Sequence, residues 1–177
     1  MSLSGSERAA LDTINPAVML QQVEAWAAVN SGSRNLPGLA VMAEHLAAAF
    51  APLGDIRLMP PAAATQMLGN GAVAALPHGD NLHLCVRPQA PVRVLLTGHY
   101  DTVFGVDHPF QSLQWLQAGV LNGPGVADMK GGIAVMLAAL QAFEHSAWAT
   151  KLGYEVVLNA DEEVSSPGSA PLLAECA

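Results

Sequence analysis

The sequence predicts a layered α/β sandwich, in which helices pack on a central β-sheet. Apolar runs with helical spacing alternate along the chain with short strand-like runs. Of the 177 residues, 51% are hydrophobic and only 12% are charged. This composition excludes a disordered chain, and the length is sufficient to bury one core. We therefore expect residues 1–177 to form part of a single folded domain.

Two helices are predicted in the first third of the chain. The first covers Pro16 to Val29, where apolar residues recur at helical spacing and proline suits the first turn. A polar break follows, and then Asn35 and Pro37 have the pattern of an N-cap and an early helical proline. We expect this second helix to end near Gly54.

Four strands and a third helix are predicted in the remainder. The strands are 56–59, 82–86, 92–96 and 154–158, and the helix is 133–144. The loop around Trp115 is expected to hold an edge hairpin. Gly69 to Ala74 has the outline of a dinucleotide fingerprint, but no convincing strand leads into it, so a turn is expected there.

The charge and the termini limit the choice of partners and location. Seven basic and fifteen acidic residues give a formal charge of −8, which argues against nucleic acid or an anionic membrane as a partner. No apolar run is long enough to predict a membrane span, and Met1 to Ser6 lacks the basic region of a signal peptide. We expect a cytoplasmic protein, or a periplasmic one if a leader has been removed. Cys85 and Cys176 are too few and too far apart to predict a disulfide framework.

The strongest candidate site residue is Asp128, within GPGVADMKGG. It follows a Gly/Pro turn and precedes two glycines and a long apolar helix. Glycines allow the close backbone approach that is needed to hold a side chain against an ion or substrate. The alternative interpretation is an ordinary acidic N-cap.

Other candidate residues follow two of the predicted strands. His99 comes after one, and the pair Glu162 and Glu163 comes after another, so all should lie at the carboxyl ends of the strands. Ionised carboxylates are costly to bury without a cation, and mixed N/O ligands suit zinc or cobalt. The period of two along a strand places Asp101 on the same side as His99, where it can orient the imidazole ring. One glutamate could bind metal while the other moves a proton.

Several other polar residues are not assigned to the site. His45, His108 and His145 are expected to be surface, loop or helix-end residues. A serine hydrolase is disfavoured because no G-x-S-x-G elbow is present, and the serines at 165, 166 and 169 lie in a turn after the acidic pair.

In combination, the motifs resemble the M20 family of zinc-dependent peptidases and deacylases. The matching segments are GHYDTVF at 98–104, GPGVADMKGG at 123–132 and DEEVSSPGS at 161–169, supported by NSGSRN at 30–35. The resemblance implies a three-layer α/β/α sandwich of the zinc exopeptidase type with a mixed, mostly parallel sheet. It also implies a site for two divalent ions. Zinc is the expected ion, and cobalt and manganese are the alternatives.

The resemblance further implies roles for individual residues. His99 would bind one zinc, Glu163 the other, and Asp128 would bridge both. Glu162 would be the general base and Asp101 the residue that orients His99. In the family, the bridging aspartate is followed by a cis peptide bond, so the bond after Asp128 is expected to be cis.

The resemblance also implies an activity and an organisation. The motif sequences are most similar to those of the carboxypeptidases that release a C-terminal glutamate-type residue. An N-acyl-amino-acid deacylase or an aminopeptidase is the alternative with the same metals, and a truncated, non-catalytic binding module is the alternative of a different class. Residues 1–177 would be the N-terminal part of the catalytic domain. A lid and dimerisation domain, a further acidic ligand and a C-terminal histidine ligand would be absent, and the full-length protein would be a homodimer acting on small peptides or N-acyl amino acids.

Overall fold

The structure of the chain is a computed structural model, and it describes residues 3–177. Helices and strands alternate along these residues, as the apolar periodicity predicts. The helices are α1 (Gly5–Leu11), α2 (Pro16–Ala27), α3 (Leu36–Phe50), α4 (Gly131–Glu144) and α5 (Ala170–Cys176). The strands are β1 (Ile56–Met59), β2 (Thr65–Met67), β3 (Val73–Ala75), β4 (Asn81–Val86), β5 (Val92–His99), β6 (Gln114–Gln117), β7 (Val120–Asn122) and β8 (Leu152–Asn159).

The central sheet has four strands in the order β1, β4, β8, β5. Strands β5 and β8 are parallel because α4 connects them as a crossover. The pairs β1 with β4 and β4 with β8 are antiparallel. The mixed α/β sheet is confirmed, but the expectation that it is mostly parallel is wrong for this part of the sheet, since only one of its connections contains a crossover helix.

Helices cover both faces of the sheet. On β4, Leu82 and Leu84 are fully buried and belong to one hydrophobic cluster with α2, α3, α4 and β8. His83 and Cys85 alternate with them and therefore lie on the opposite face. Helix α5 lies against that second face, where the Sγ of Cys176 is 3.8 Å from the Nε2 of His83. The predicted three-layer arrangement is confirmed.

Two helical stretches are apolar enough to cross a membrane by length and composition alone, namely Leu36–Leu53 and Val126–Glu144. Apolar core helices satisfy the same criterion. Leu46 in the first stretch and Leu137 in the second are fully buried within the main hydrophobic cluster. Both stretches thus contribute residues to the core, with 33% of the first and 39% of the second buried. The expectation that no apolar run is long enough to span a membrane does not hold by length and composition.

The predicted boundaries hold within a few residues, and three elements were not predicted. Asn35 caps α3 by accepting a hydrogen bond from the amide of Gly38, as expected. The hairpin around Trp115 is present as β6 and β7. The structure adds α1, the hairpin of β2 and β3, and α5, all of them short elements with few or no buried residues.

Candidate metal centre

His99 is the last residue of β5, and its imidazole ring is held from both sides. The Nε2 atom is 3.0 Å from the Oδ1 of Asp128, and the Nδ1 atom is 3.2 Å from the backbone oxygen of Asp101 and 3.3 Å from its Oδ1. Burial of the ring lowers the pKa of His99, but hydrogen bonds to the carboxylates of Asp101 and Asp128 outweigh it and raise the pKa to about 9. The ring is therefore oriented by Asp101 and directs Nε2 toward the other candidate ligands.

Asp101 is fully buried and connects several parts of the site. Its carboxylate accepts hydrogen bonds from the Oγ of Ser33 at 2.7 Å and from the backbone amides of Glu162 and Glu163, both at 3.2 Å. The expected position beside His99 is present. Because one carboxylate contacts both the ring and the two glutamate amides, it fixes their relative positions.

Asp128 lies in a kinked turn, Val126–Lys130, directly before α4, and its own backbone is not helical, with a φ of −128° and a ψ of 99°. The peptide bond between Asp128 and Met129 is cis, as the resemblance implied. Gly125 has a φ of 72°, and a Cβ atom there would lie 2.9 Å from Thr102, so glycine is required at this close approach. The carboxylate of Asp128 is 76% exposed and is free to contact a ligand.

Glu162 and Glu163 begin a short turn that follows β8. The Oε2 of Glu162 is 3.8 Å from the Nε2 of His99, and its side chain is 54% exposed. Burial raises the pKa of Glu163; the charge of His99 opposes this, and the nearby carboxylates, Asp128 first among them, add to it. This concentration of negative charge would be offset by a cation.

The structure brings His99, Asp128 and Glu163 together, although they come from three separate segments. One ligand atom from each, an imidazole nitrogen and two carboxylate oxygens, lie within 4.8 Å of one another. This is a donor set that zinc and similar divalent ions accept. The second nitrogen of His99 already contacts Asp101, which is the arrangement usual for a metal-binding histidine. The residues present therefore fit a divalent metal.

Asp161, directly before the acidic pair, has a supporting role that sequence reasoning missed. Its carboxylate is buried and accepts hydrogen bonds from the amide of Gly168 at 2.6 Å and from the Oγ of Ser169 at 2.6 Å. These bonds close the loop that carries the two glutamates. The only sequence signal was the recurrence of small polar residues after the acidic pair.

Lys130 and the segment 30–35 also support the site. Lys130 is buried, and its ammonium donates to the carbonyl oxygens of Trp26 and Val29, both at 3.0 Å, at the end of α2. Ser31 donates to the carbonyl of Tyr100 at 2.6 Å, next to Asp101. The sequence identified both segments as parts of motifs but gave no indication of these long-range contacts.

The fold and the donor set define a class: an α/β protein with a candidate metal centre at the carboxyl ends of neighbouring parallel strands. The model of Peptidase family M20/M25/M40 matches residues 95–177. This match confirms the resemblance to the family that was drawn from the motifs.

Two curated relatives illustrate the match. Carboxypeptidase G2 of Pseudomonas sp. (strain RS-16) is 30% identical over 164 residues, which is 90% of this chain and 36% of the relative. Succinyl-diaminopimelate desuccinylase of Xanthomonas oryzae pv. oryzae (strain PXO99A) is 41% identical over 92 residues, which is 48% of this chain and 23% of the relative. The chain thus spans about a third or less of the length of these relatives.

Solved structures share the fold. Human carnosine dipeptidase 1 superposes with a TM-score of 0.72 at 21% identity, covering 99% of this chain and 38% of that one. An M20 family metallo-carboxypeptidase from Sulfolobus solfataricus superposes with a TM-score of 0.63 at 17% identity, covering 89% of this chain and 34% of that one. These likenesses confirm the α/β architecture that the sequence predicts.

Proposed function

We propose that this chain is part of a metal-dependent amide hydrolase, in which His99, Asp128 and Glu163 hold divalent ions. Zinc is the proposed ion. The observation that carries the proposal is the convergence of one imidazole and two carboxylates within 4.8 Å, with a further solvent-accessible carboxylate beside them. Divalent ions bound here would polarise a substrate carbonyl and make a water molecule more acidic. As the resemblance to the family implies, Asp128 would be the ligand shared by two ions, and its exposed carboxylate leaves it accessible for this role.

Glu162 is the proposed general base. Its carboxylate lies close to His99 and is open to solvent, so it can accept a proton from the attacking water. The same carboxyl group can then donate that proton to the nitrogen of the leaving amine. Asp101 does not meet substrate in this scheme; it positions His99 and the backbone of both glutamates through the hydrogen bonds described above.

The proposed substrate is a small peptide or acyl compound with a C-terminal glutamate-type residue. The wording of the motifs and the relationship to carboxypeptidase G2 support this choice. The stronger local identity to a succinyl-diaminopimelate desuccinylase supports the alternative, an N-acyl-amino-acid deacylase with the same metals. A dipeptide is a third substrate to compare, because carnosine dipeptidase 1 has the same fold.

The proposal includes an organisation for the whole protein. Residues 1–177 would supply the N-terminal part of the catalytic domain, and further metal ligands would come from outside this range. The protein would be a cytoplasmic homodimer that associates through a lid domain. The small share of each relative that this chain covers supports only the first part of this organisation, namely that residues 1–177 supply one part of a larger protein.

The test uses the complete gene product and measures metal content and hydrolysis together. We expect about two metal ions per chain in the native protein, as in other sites with bridged metals. Glu162→Gln should reduce kcat by about 10²- to 10⁴-fold while the metal content is retained, because only proton transfer is lost. Asp128→Ala should lose both metal and activity.

Glu44→Gln is the matched control, since Glu44 is an exposed glutamate on α3. It should leave kcat and metal content unchanged. Full activity of Glu162→Gln would overturn the assignment of the base. A native protein that binds no metal would overturn the catalytic proposal and favour a non-catalytic binding module. Parallel assays with an acyl-glutamate, an N-acyl amino acid and a dipeptide distinguish the substrate classes.

A further inference from the structure

A second group of potential metal ligands lies on the face of the sheet that α5 covers. His83 on β4 and Glu155 on β8 form a contact of 2.9 Å between Nε2 and Oε1. The Sγ of Cys176 on α5 is 3.8 Å from the same nitrogen, and one ligand atom from each residue lies within 4.8 Å of the others. None of these residues belongs to the centre formed by His99, Asp128 and Glu163.

The two groups are well separated along the sheet. Glu155 pairs in register with Leu95 of β5, four residues before His99 at the end of that strand. At about 3.3 Å per residue, this separates the two positions by roughly 13 Å along the strand direction. The second group also faces the middle of the sheet, whereas the first lies beyond the strand ends. A metal held by one group therefore cannot be shared with the other.

Cys85 lies next to this group as a further potential ligand, outside the three residues whose ligand atoms lie within 4.8 Å of one another. It lies two residues after His83 on the same face of β4, and it is the register partner of Glu155. Cys85, Glu155 and Cys176 line one cavity of about 110 Å³. Two strands and a helix thus present two sulfur atoms and one carboxylate to this cavity, and the imidazole of His83 contacts that carboxylate at 2.9 Å.

These ligand types suit a thiophilic cation. Zinc accepts four ligands in tetrahedral geometry from cysteine, histidine and carboxylate side chains. An ion pair alone would account for His83 and Glu155, but it would give no reason for two cysteines at the same place. Between them, the only two cysteines of the sequence contribute to this one cavity.

A cation at this site would attach α5 to the sheet. Helix α5 has no buried residue, so little apolar packing holds it on the sheet. A cation bound by Cys176 on α5 and by ligands on β4 and β8 would fasten the helix there. Because α5 begins at Ala170, soon after the loop that carries Glu162 and Glu163, fastening it would also limit the motion of that loop.

We propose that His83, Glu155 and Cys176, together with Cys85, form a second, structural zinc site that attaches α5 to the sheet. The proposal does not depend on the catalytic one, because it uses different residues and a different face of the sheet. It predicts that the chain binds a thiophilic ion even when the centre at the strand ends is disabled.

The test titrates Co²⁺ into the reduced chain and records its absorption spectrum. A thiolate bound to Co²⁺ gives a charge-transfer band in the near ultraviolet, which imidazole and carboxylate ligands do not give. The centre of His99, Asp128 and Glu163 contains no sulfur, so this band reports only the second site. We expect the band in the native chain and, undiminished, in Asp128→Ala.

Three variants make the result specific. Cys176→Ser should abolish or strongly reduce the band. It should weaken Zn²⁺ binding at this site by about 100-fold or more, because loss of a ligand costs at least as much as loss of a residue behind a ligand. Cys85→Ser should reduce the band. Glu155→Gln should weaken the binding while both thiols remain. Circular dichroism of each variant verifies that it is folded. A folded native chain with no band, or an unchanged band in Cys176→Ser, would overturn the proposal.

Discussion

At the scale of single residues, Asp101 holds the candidate centre together. It is fully buried, and it contacts His99, Ser33 and the amides of two adjacent glutamates. This one carboxylate satisfies several donors, and the buried donors would have no acceptor without it. Its loss would therefore affect three segments of the chain at once.

Replacing this carboxylate should lower stability strongly. We expect Asp101→Ala to reduce the free energy of unfolding by about 2–4 kcal/mol, because buried donors are left without an acceptor. Urea denaturation followed by circular dichroism measures the change. Asp107→Ala is the matched control, because Asp107 is exposed, and it should change stability by no more than about 0.5 kcal/mol. Equal midpoints for the two variants would contradict the role assigned to Asp101.

At the scale of elements, the ion pair of Arg87 and Glu144 joins the end of β4 to the end of α4. The guanidinium contacts both carboxylate oxygens, at 3.0 and 2.5 Å, and also donates to the carbonyl of Leu152 at 2.8 Å. The hydrogen bond from Arg87 lowers the pKa of Glu144 below its ordinary value of 4.5. Both side chains are 28% exposed, so solvent weakens the pair only in part.

This pair should make part of the stability depend on pH. The pKa of Glu144 is lower in the folded than in the unfolded chain, so the stabilisation is present above pH 4.5 and is lost as the pH falls through the folded value. We expect Glu144→Gln to reduce the free energy of unfolding by about 1 kcal/mol at pH 7. The difference from the native chain should disappear in acid. Urea denaturation across this range measures it, with Glu44→Gln as the control, and a difference that is independent of pH would contradict the prediction.

The helices and strands differ in how far the sequence could predict them. Helices α2, α3 and α4 and the central strands have long apolar patterns because each buries one face in the core. Helix α1 and the hairpin of β2 and β3 bury almost nothing, so no apolar pattern marks them. Helix α1 could have been found from its capping box, in which Ser4 and Glu7 bond each other's backbone amides.

The residues of the candidate site also fall into those that the sequence could predict and those that it could not. His99, Asp128, Glu162 and Glu163 could be predicted because polar residues directly after buried strands, or before a buried helix, have a known geometric meaning. The contacts of Lys130 with residues about a hundred positions away could not, because they depend on how α2 packs against the turn. Local patterns thus identified the candidate ligands and Asp101 beside one of them, but not the distant residues that support the turn.

At the scale of the whole molecule, β5 is an edge strand among residues 3–177, since it pairs only with β8. Its first residues are apolar and exposed, with Val92 at 56% and Val94 at 42%. An exposed apolar edge offers unpaired backbone groups to another chain. We therefore expect this 177-residue chain to associate with itself at high concentration.

A charge on this edge should oppose that association. Val94→Lys should shift the chain toward monomer, because a lysine at a sheet edge resists pairing with a second strand. Light scattering over a range of concentrations measures the effect. Val135→Lys on α4 is the control, because Val135 is 57% exposed but lies on a helix. If both variants act equally, general hydrophobicity and not the strand edge drives association.

The buried ammonium of Lys130 also sets an order of events during folding. It can leave water only when the carbonyl oxygens of Trp26 and Val29 are in place, and one of these lies 104 residues earlier in the chain. We therefore expect the turn that presents Asp128 to be completed only after α2 has docked. An ion that uses Asp128 as a ligand would then bind late and would not nucleate the fold, so its uptake would report that assembly is finished.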